Sequence, residues 1–208
     1  MKKIIDISWP LFPNMSEYKD RRSYKIMNTK QFESDGFRET VLSMNMHTGT
    51  HIDAPSHFLK DGKTIDQISL ERLMGPAKVI DLVRVADAIT AQDLKRYEIN
   101  EQDIILLRTM NSARAETDEF DKEFIYLDAS AAAYLAERKI KAVGIDYLGI
   151  ERGNPDHTTH TTLMHADIVI IEGLRLSHVQ AGPYFMVCLP LAIVGLDAAP
   201  ARVVLMTE

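Results

Sequence analysis

Residues 47–57 read His-Thr-Gly-Thr-His-Ile-Asp-Ala-Pro-Ser-His, and no other stretch restricts the chain as much. Three of the seven histidines lie in these eleven residues, with Asp53 between two of them. Histidines four apart suit the helical His-Glu-x-x-His metal pattern. Here Gly49, its two threonine neighbours and Pro55 disfavour a helix. In an extended chain residues 47, 49, 51, 53, 55 and 57 face the same way, so His47, His51, Asp53 and His57 share one side. An ideal strand spaces such residues by about 6.6 Å, whereas ligand atoms sit about 2.0–2.2 Å from a zinc ion. The chain must therefore bend between His47 and His51. Gly49 permits that bend, and Pro55 holds Ala54 extended at the exit.

Imidazole and carboxylate suit zinc and related divalent ions. His47, His51 and Asp53 form a three-residue ligand set that leaves a coordination position open, as in catalytic sites. No cysteine takes part, which argues against a structural zinc knot. An ion held there would acidify its water toward a pKa of about 7 and supply hydroxide at neutral pH. His57, beyond the triplet, is placed to carry protons.

The wider composition narrows the function classes. The 208 residues suffice for a sizeable core and are read as one domain, 1–208. A net charge of −6 argues against a nucleic-acid partner. No basic block or apolar stretch indicates a membrane partner. Asp6, Trp9 and Pro10 interrupt any signal-peptide run after Met1-Lys2-Lys3. Cys188 is the one cysteine, in an apolar run, so it is expected to be buried and inert, and a cytoplasmic protein is expected.

Patterning gives a coarse map. Strands are expected at 3–7, 22–28, 40–46, 77–83, 103–107, 142–145, 167–172, 184–189 and 203–206. Helices are expected at 65–74, stopped by Gly75-Pro76, and from Thr90 through Tyr97. The strongest helix opens at Asp128 or Ser130. Trp9 to Lys19, 109–122 and 147–162 read as irregular. Two consecutive strands in the first fifty residues argue against a purely doubly wound βαβ fold. The expectation is a mixed α/β domain with more strand than helix.

A second histidine-rich segment holds His157, His160 and His165, followed by Glu172 at the end of the apolar run Ile168-Val-Ile-Ile-Glu. A carboxylate there is placed to enter a site at a strand edge. His178 sits in a polar loop and receives no role.

The pattern His47-x-Gly49-Thr50-His51-x-Asp53-x-Pro55-x-His57 resembles the signature of the cyclase family, which includes bacterial kynurenine formamidases. Asp6-Ile-Ser with Pro10-Leu11 resembles the family's opening. His160-x-x-Leu163-Met164 with Ile171-Glu172-Gly173-Leu174 resembles its second metal-binding region. The resemblance covers nearly the whole chain. It implies a swivelling β/β/α fold and a homodimer or homotetramer. It also implies one zinc held by His47, His51 and Asp53, a second held by Asp53, His160 and Glu172, and His57 as general acid/base. Members similar to isatin hydrolase imply instead a single manganese on the His-His-Asp set. His157 and His165 are left as surface or supporting residues.

Two stretches depart from the family. Ser16-Glu17-Tyr18-Lys19 stands where a Pro-Gly pair is common, and Gly149-Ile-Glu151-Arg152 carries no substrate signature. The implied activity is hydrolysis of a small-molecule amide, with N-formylkynurenine as the leading substrate. A cyclic amide or imide is the alternative, and a non-catalytic metal- or ligand-binding protein the second alternative. Trp9, Phe12, Tyr18 and Phe58 are the aromatics available to an aryl substrate.

Overall fold

A computed structural model describes residues 3–207. Met1, Lys2 and Glu208, the ends of the expected 1–208 domain, lie outside the described residues. Seven strands close into a ring. They are β4 (His51–Asp53), β5 (Met74–Asp81), β7 (Ile104–Arg108), β9 (Ala142–Ile145), β10 (Val169–Glu172), β11 (Gly182–Pro190) and β12 (Ala198–Met206). The order round the ring is β12-β11-β5-β7-β9-β10-β4, and β4 returns to β12. β1 (Ile4–Asp6) extends the sheet at the far end of β12. The run β5-β7-β9-β10 is parallel, and the remaining pairs are antiparallel.

Strand alternation divides the apolar residues between two cores. Ile52, Ile104, Leu106, Ala142, Val169 and Ile171 point into the ring. Ile105, Leu107, Val143, Ile145 and Ile170 point outward. Helices cover that outer face with Leu94, Leu135 and Leu163. These helices are α2 (Ala91–Leu94), α3 (Ala129–Glu137) and α4 (Thr158–His165). Asp128 caps α3 by accepting the Ala131 amide at 2.8 Å, as one of the two expected openings required. Cys188 is fully buried, and burial pushes its thiol well above the usual range, as expected of an inert side chain. No helix among the described residues is long and apolar enough to cross a membrane.

Several expected elements take another form. The helix expected at 65–74 is two single 3₁₀ turns, Ile65–Gln67 and Leu70–Arg72. Gly75-Pro76 belongs to β5 and stops nothing. At Pro76 the strand is paired only with β11, because β7 joins from Ala77 onward, so the missing N–H costs no second ladder bond. The helix expected from Thr90 through Tyr97 ends at Leu94. The segment 147–162 is not irregular throughout, since α4 begins at Thr158. Its first amides are capped from a distance: Thr159 N–H and His160 N–H donate to the Glu151 carboxylate at 3.0 and 3.3 Å. That cap lies outside the local pattern.

The two early strands form a separate hairpin, β2 (Lys25–Lys30) and β3 (Glu39–Ser43), joined by the one-turn helix α1 (Phe32–Asp35). Every residue of both strands is exposed. Two-residue strands at β6 (Ala88–Ile89) and β8 (Tyr126–Leu127) pair in parallel beside the helices.

Candidate metal centre

The side chains of the 47–57 stretch meet on the outer face of the ring, where β4 and β10 lie antiparallel. Register pairs His51 with Glu172 and Asp53 with Ile170. Ile52 points inward to the core, so His51, Asp53 and Glu172 share the opposite face. Gly49 makes the bend expected of it, with φ +62°. A Cβ there would lie 2.6 Å from Leu11 Cδ2, a flexible side-chain end that can shift, so the bend needs glycine for its conformation. The extended run is short, covering only 51–53. Pro55–His57 is a 3₁₀ turn, and this turn brings His57 back over His47, with ring centroids 4.1 Å apart.

Six side chains converge. His47 Nδ1 lies 2.9 Å from Asp53 Oδ1, and His51 Nε2 lies 3.3 Å from the same oxygen. His51 Nε2 is 3.4 Å from Glu172 Oε2. His160 Nε2 is 3.4 Å from Glu172 Oε1 and 3.7 Å from Asp53 Oδ2. The two oxygens of Asp53 thus face different histidines. His57 is half-buried at the edge of the group.

Each imidazole is turned by its other nitrogen. His51 Nδ1 contacts the Gly49 carbonyl at 3.0 Å, and His160 Nδ1 contacts Glu151 Oε2 at 2.6 Å. His47 Nε2 lies 3.1 Å from Asp197 Oδ2, and His57 Nδ1 lies 3.3 Å from the same atom. This is how histidine ligands are oriented and made more basic. Glu172 is held in turn by the Ile150 N–H at 2.6 Å.

The residues fit a divalent cation. His51 Nε2 and Asp53 Oδ1 are fully buried and lie 3.3 Å from each other, yet neither makes a contact of hydrogen-bond geometry. Buried polar atoms left in that state are costly; here they point into a common space with the carboxylates around it. His51, Asp53 and Glu172 each offer an atom within 4.8 Å of the others, as do His47, Asp53 and His57. A third trio, Glu151, His157 and His160, meets the same spacing, but its Glu151–His160 contact already uses His160 Nδ1.

The electrostatics of the protein alone follow the same geometry. Burial opposes charge on His51 and His160, but nearby carboxylates overcome it and raise both to about 10. Glu172 goes the other way. Burial and the Asp53 charge favour its protonated form, but His160 and His51 outweigh them and hold it at about 2. His57 is lowered, first by burial, so its ring is neutral at neutral pH.

The centre opens into a cavity of about 590 Å³. Of the four aromatics considered from sequence, Tyr18 and Phe58 line it. Trp9 is buried and Phe12 packs against the same aromatic cluster behind the wall. Phe58 lies between His157 and His160, with centroids 4.4 and 4.6 Å away. His157 and His165 are exposed, and His178 Nε2 lies 3.1 Å from the Asp6 carbonyl, away from the centre.

Glu151 and Asp197 escaped the sequence reading. Glu151 lies in a stretch rich in Gly, Asn and Pro, and Asp197 follows Gly195-Leu196 near the C-terminus. Neither belongs to a local motif, and only the fold brings them to the histidines.

Residues 5–152 match the model of the Cyclase family, described as "Putative cyclase". The chain is similar to a kynurenine formamidase of Bacillus cereus, 34% identical over 204 residues, covering 97% of this chain and 96% of that protein. Among solved structures it is similar to a predicted metal-dependent hydrolase from Bacillus stearothermophilus, with TM-score 0.90 and 44% identity over 100% of both chains. It is also similar to isatin hydrolase A from Labrenzia aggregata, with TM-score 0.86 and 25% identity, covering 99% of this chain and 94% of that one.

Proposed function

The chain belongs to the cyclase family, and on that premise we propose that it is a metal-dependent hydrolase of a small-molecule amide. N-formylkynurenine is the leading substrate, and the products are kynurenine and formate. The observation that carries this reading is the convergence of buried ligand-type atoms, His51 Nε2 and Asp53 Oδ1 among them, on a shared space beside an open cavity, with neither making a contact of hydrogen-bond geometry. They face each other, and His51 Nε2 faces Glu172, at ion-pair distance without hydrogen-bond geometry, which is the arrangement of ligand atoms around a common ion.

His47, His51 and Asp53 would hold one ion, and Asp53, His160 and Glu172 a second, zinc being the first choice. A single manganese on the His-His-Asp set is the alternative occupancy. Such an ion, when bound, supplies Lewis acidity and an acidified water. The chain's own contribution lies in positioning and proton transfer. Asp197 engages His57 Nδ1, which leaves Nε2 as the nitrogen that moves a proton. His57, neutral at pH 7, takes a proton from the attacking water. As the C–N bond breaks it returns that proton to the leaving nitrogen. Tyr18 and Phe58 flank the space available to an aryl ring.

The test is His57→Ala in metal-loaded protein. Metal content is expected to stay nearly intact while turnover of an arylformamide falls by about 10²–10⁴-fold, the usual contribution of a positioned acid/base. Equal loss of metal would make His57 a ligand. If neither zinc nor manganese supports turnover of an arylformamide or a cyclic amide while the ion still binds, the protein is a binder and the hydrolase reading fails.

The enzyme is read as one domain, in the cytoplasm, acting as a homodimer. The hairpin β2–β3 supports the dimer. It stands exposed with Met27 and Val41 paired on one face and Ile26 and Leu42 on the other. A lone two-stranded hairpin is marginal in water. A second uncovered apolar row, Ile4, Met206, Phe185 and Pro76, crosses the outer face of β1, β12, β11 and β5. A two-fold pair of copies covers both features reciprocally. Sedimentation velocity should give a dimer for the wild type and a monomer for the double variant Ile26→Lys, Leu42→Lys. A monomeric wild type would remove the dimer from this reading.

A further inference from the structure

Lys19 and Arg21 line the mouth of the cavity that the metal centre opens into. Neither belongs to an ion pair within 4.0 Å among the described residues. The nearby carboxylates are engaged elsewhere. Asp20 accepts the Phe120 N–H at 2.9 Å. Glu17 is buried and accepts the amides of Ser23 and Tyr24 at 2.8 and 3.0 Å. Glu151 and Glu172 are bound to His160 and to backbone amides. Two free cations at one cavity mouth are unexpected in a chain of net charge −6.

The loop that carries them is built to a fixed shape. Lys19, Asp20 and Arg22 have φ values of 53°, 52° and 50°. Non-glycine residues seldom adopt that conformation, and it persists where surrounding structure imposes it, often at ligand clamps. The imposing contacts are visible. Glu17 closes the loop from below, and the Asn45 N–H donates to Ser23 Oγ at 3.0 Å, tying it to the strand exit just before His47. Both cations stand over one ring: Lys19 Nζ is 5.1 Å and Arg21 Cζ 5.2 Å from the Tyr18 centroid. That ring is seated against Phe120, with centroids 4.9 Å apart. It is also seated against Gly149, where a Cβ would lie 3.4 Å from Tyr18 Cε2. This is the stretch Ser16-Glu17-Tyr18-Lys19 that departs from the common family sequence.

We propose that Lys19 and Arg21 bind a carboxylate of the substrate, remote from the bond that is cleaved, while Tyr18 lies beside its ring. The substrate class is then an aryl amide whose tail carries a carboxylate, and a neutral cyclic imide is disfavoured. A rigid loop supplies the two charges already oriented, so little ordering is lost on binding. The inference rests on the hydrolase reading above.

The test compares two substrates with the same ring and the same scissile group, N-formylkynurenine and 2-formamidoacetophenone, which lacks the amino-acid tail. Metal-loaded wild type is expected to prefer the first. In the double variant Lys19→Gln, Arg21→Gln the ratio of their kcat/KM values should fall by about 10–100-fold, the range for losing hydrogen bonds to a charged group. The change should lie mainly in KM for N-formylkynurenine, and Arg21→Lys should restore part of it. An unchanged ratio overturns the proposal and leaves the hydrolase reading intact. If the wild type turns over neither formamide, the arylformamide assignment fails, and calorimetric binding of kynurenine decides the anion site. Equal affinity in wild type and double variant would overturn it there too.

Discussion

The near and far halves of the metal centre are built by different means. His47, His51, Asp53 and His57 come from eleven consecutive residues, brought together by one glycine bend, three residues of strand and one 3₁₀ turn. His160 and Glu172 come from a helix and a strand more than a hundred residues later. Their partner Glu151 lies in a loop between β9 and α4. Local chain geometry makes the first half, and tertiary contact makes the second. The near half therefore tolerates little change in its own few residues, while the far half depends on how β10 and α4 pack. Asp53 is the one proposed ligand common to both, with one oxygen toward His47 and His51 and the other toward His160.

That shared position gives the largest expected effect. Asp53→Asn should empty both halves, so metal content falls to near zero and turnover drops by more than the ~10²–10⁴-fold expected for a lost acid/base. Glu172→Gln should empty the far half only and leave the near-half ion in place. Elemental analysis of the three purified proteins reads this directly. Equal metal content in the Glu172→Gln variant and the wild type would mean that the near half works alone with one ion. An Asp53→Asn protein that keeps a full complement would break the comparison, because Asp53 would then join nothing.

The same division governs what could be read from the sequence. The near half was legible because ligand spacing, Gly49 and Pro55 all lie in one window. The proposed far ligands His160 and Glu172 were legible only through resemblance to a known pattern, since nothing in spacing ties residue 160 to residue 53. Glu151 and Asp197 were not legible at all. Each acts through the back of an imidazole, and that relation exists only after the ring of strands has closed. The fold shows a similar limit. Strands β7 and β9 were found because burial on both faces leaves continuous apolar runs. The start of α4 was missed because its cap is the Glu151 carboxylate, which no rule of neighbouring residues anticipates. The expected helix at 65–74 failed because its apolar positions serve two separate turns that lead into β5.

The smallest predicted change tests whether the far half is indeed held from behind. Glu151 holds His160 Nδ1 at 2.6 Å and helps raise that imidazole to about 10 in the metal-free protein. A histidine raised above its unfolded value of about 6.5 contributes stability that is fully present below that pH. The contribution is lost as pH rises through about 10. A metal must displace the same proton, so between these limits its binding to the far half releases a proton and strengthens with pH, by about tenfold per unit for each proton released. Glu151→Gln keeps the shape but removes the charge that favours the imidazolium. Affinity at the far half should fall by about 10–100-fold, the usual cost of losing a partner behind a ligand. Fewer protons should be released at pH 8, because His160 then titrates lower. Calorimetric metal titration in two buffers of different ionisation enthalpy measures both quantities at once. An unchanged affinity with an unchanged proton count would show that β10 and α4 place His160 without help from Glu151.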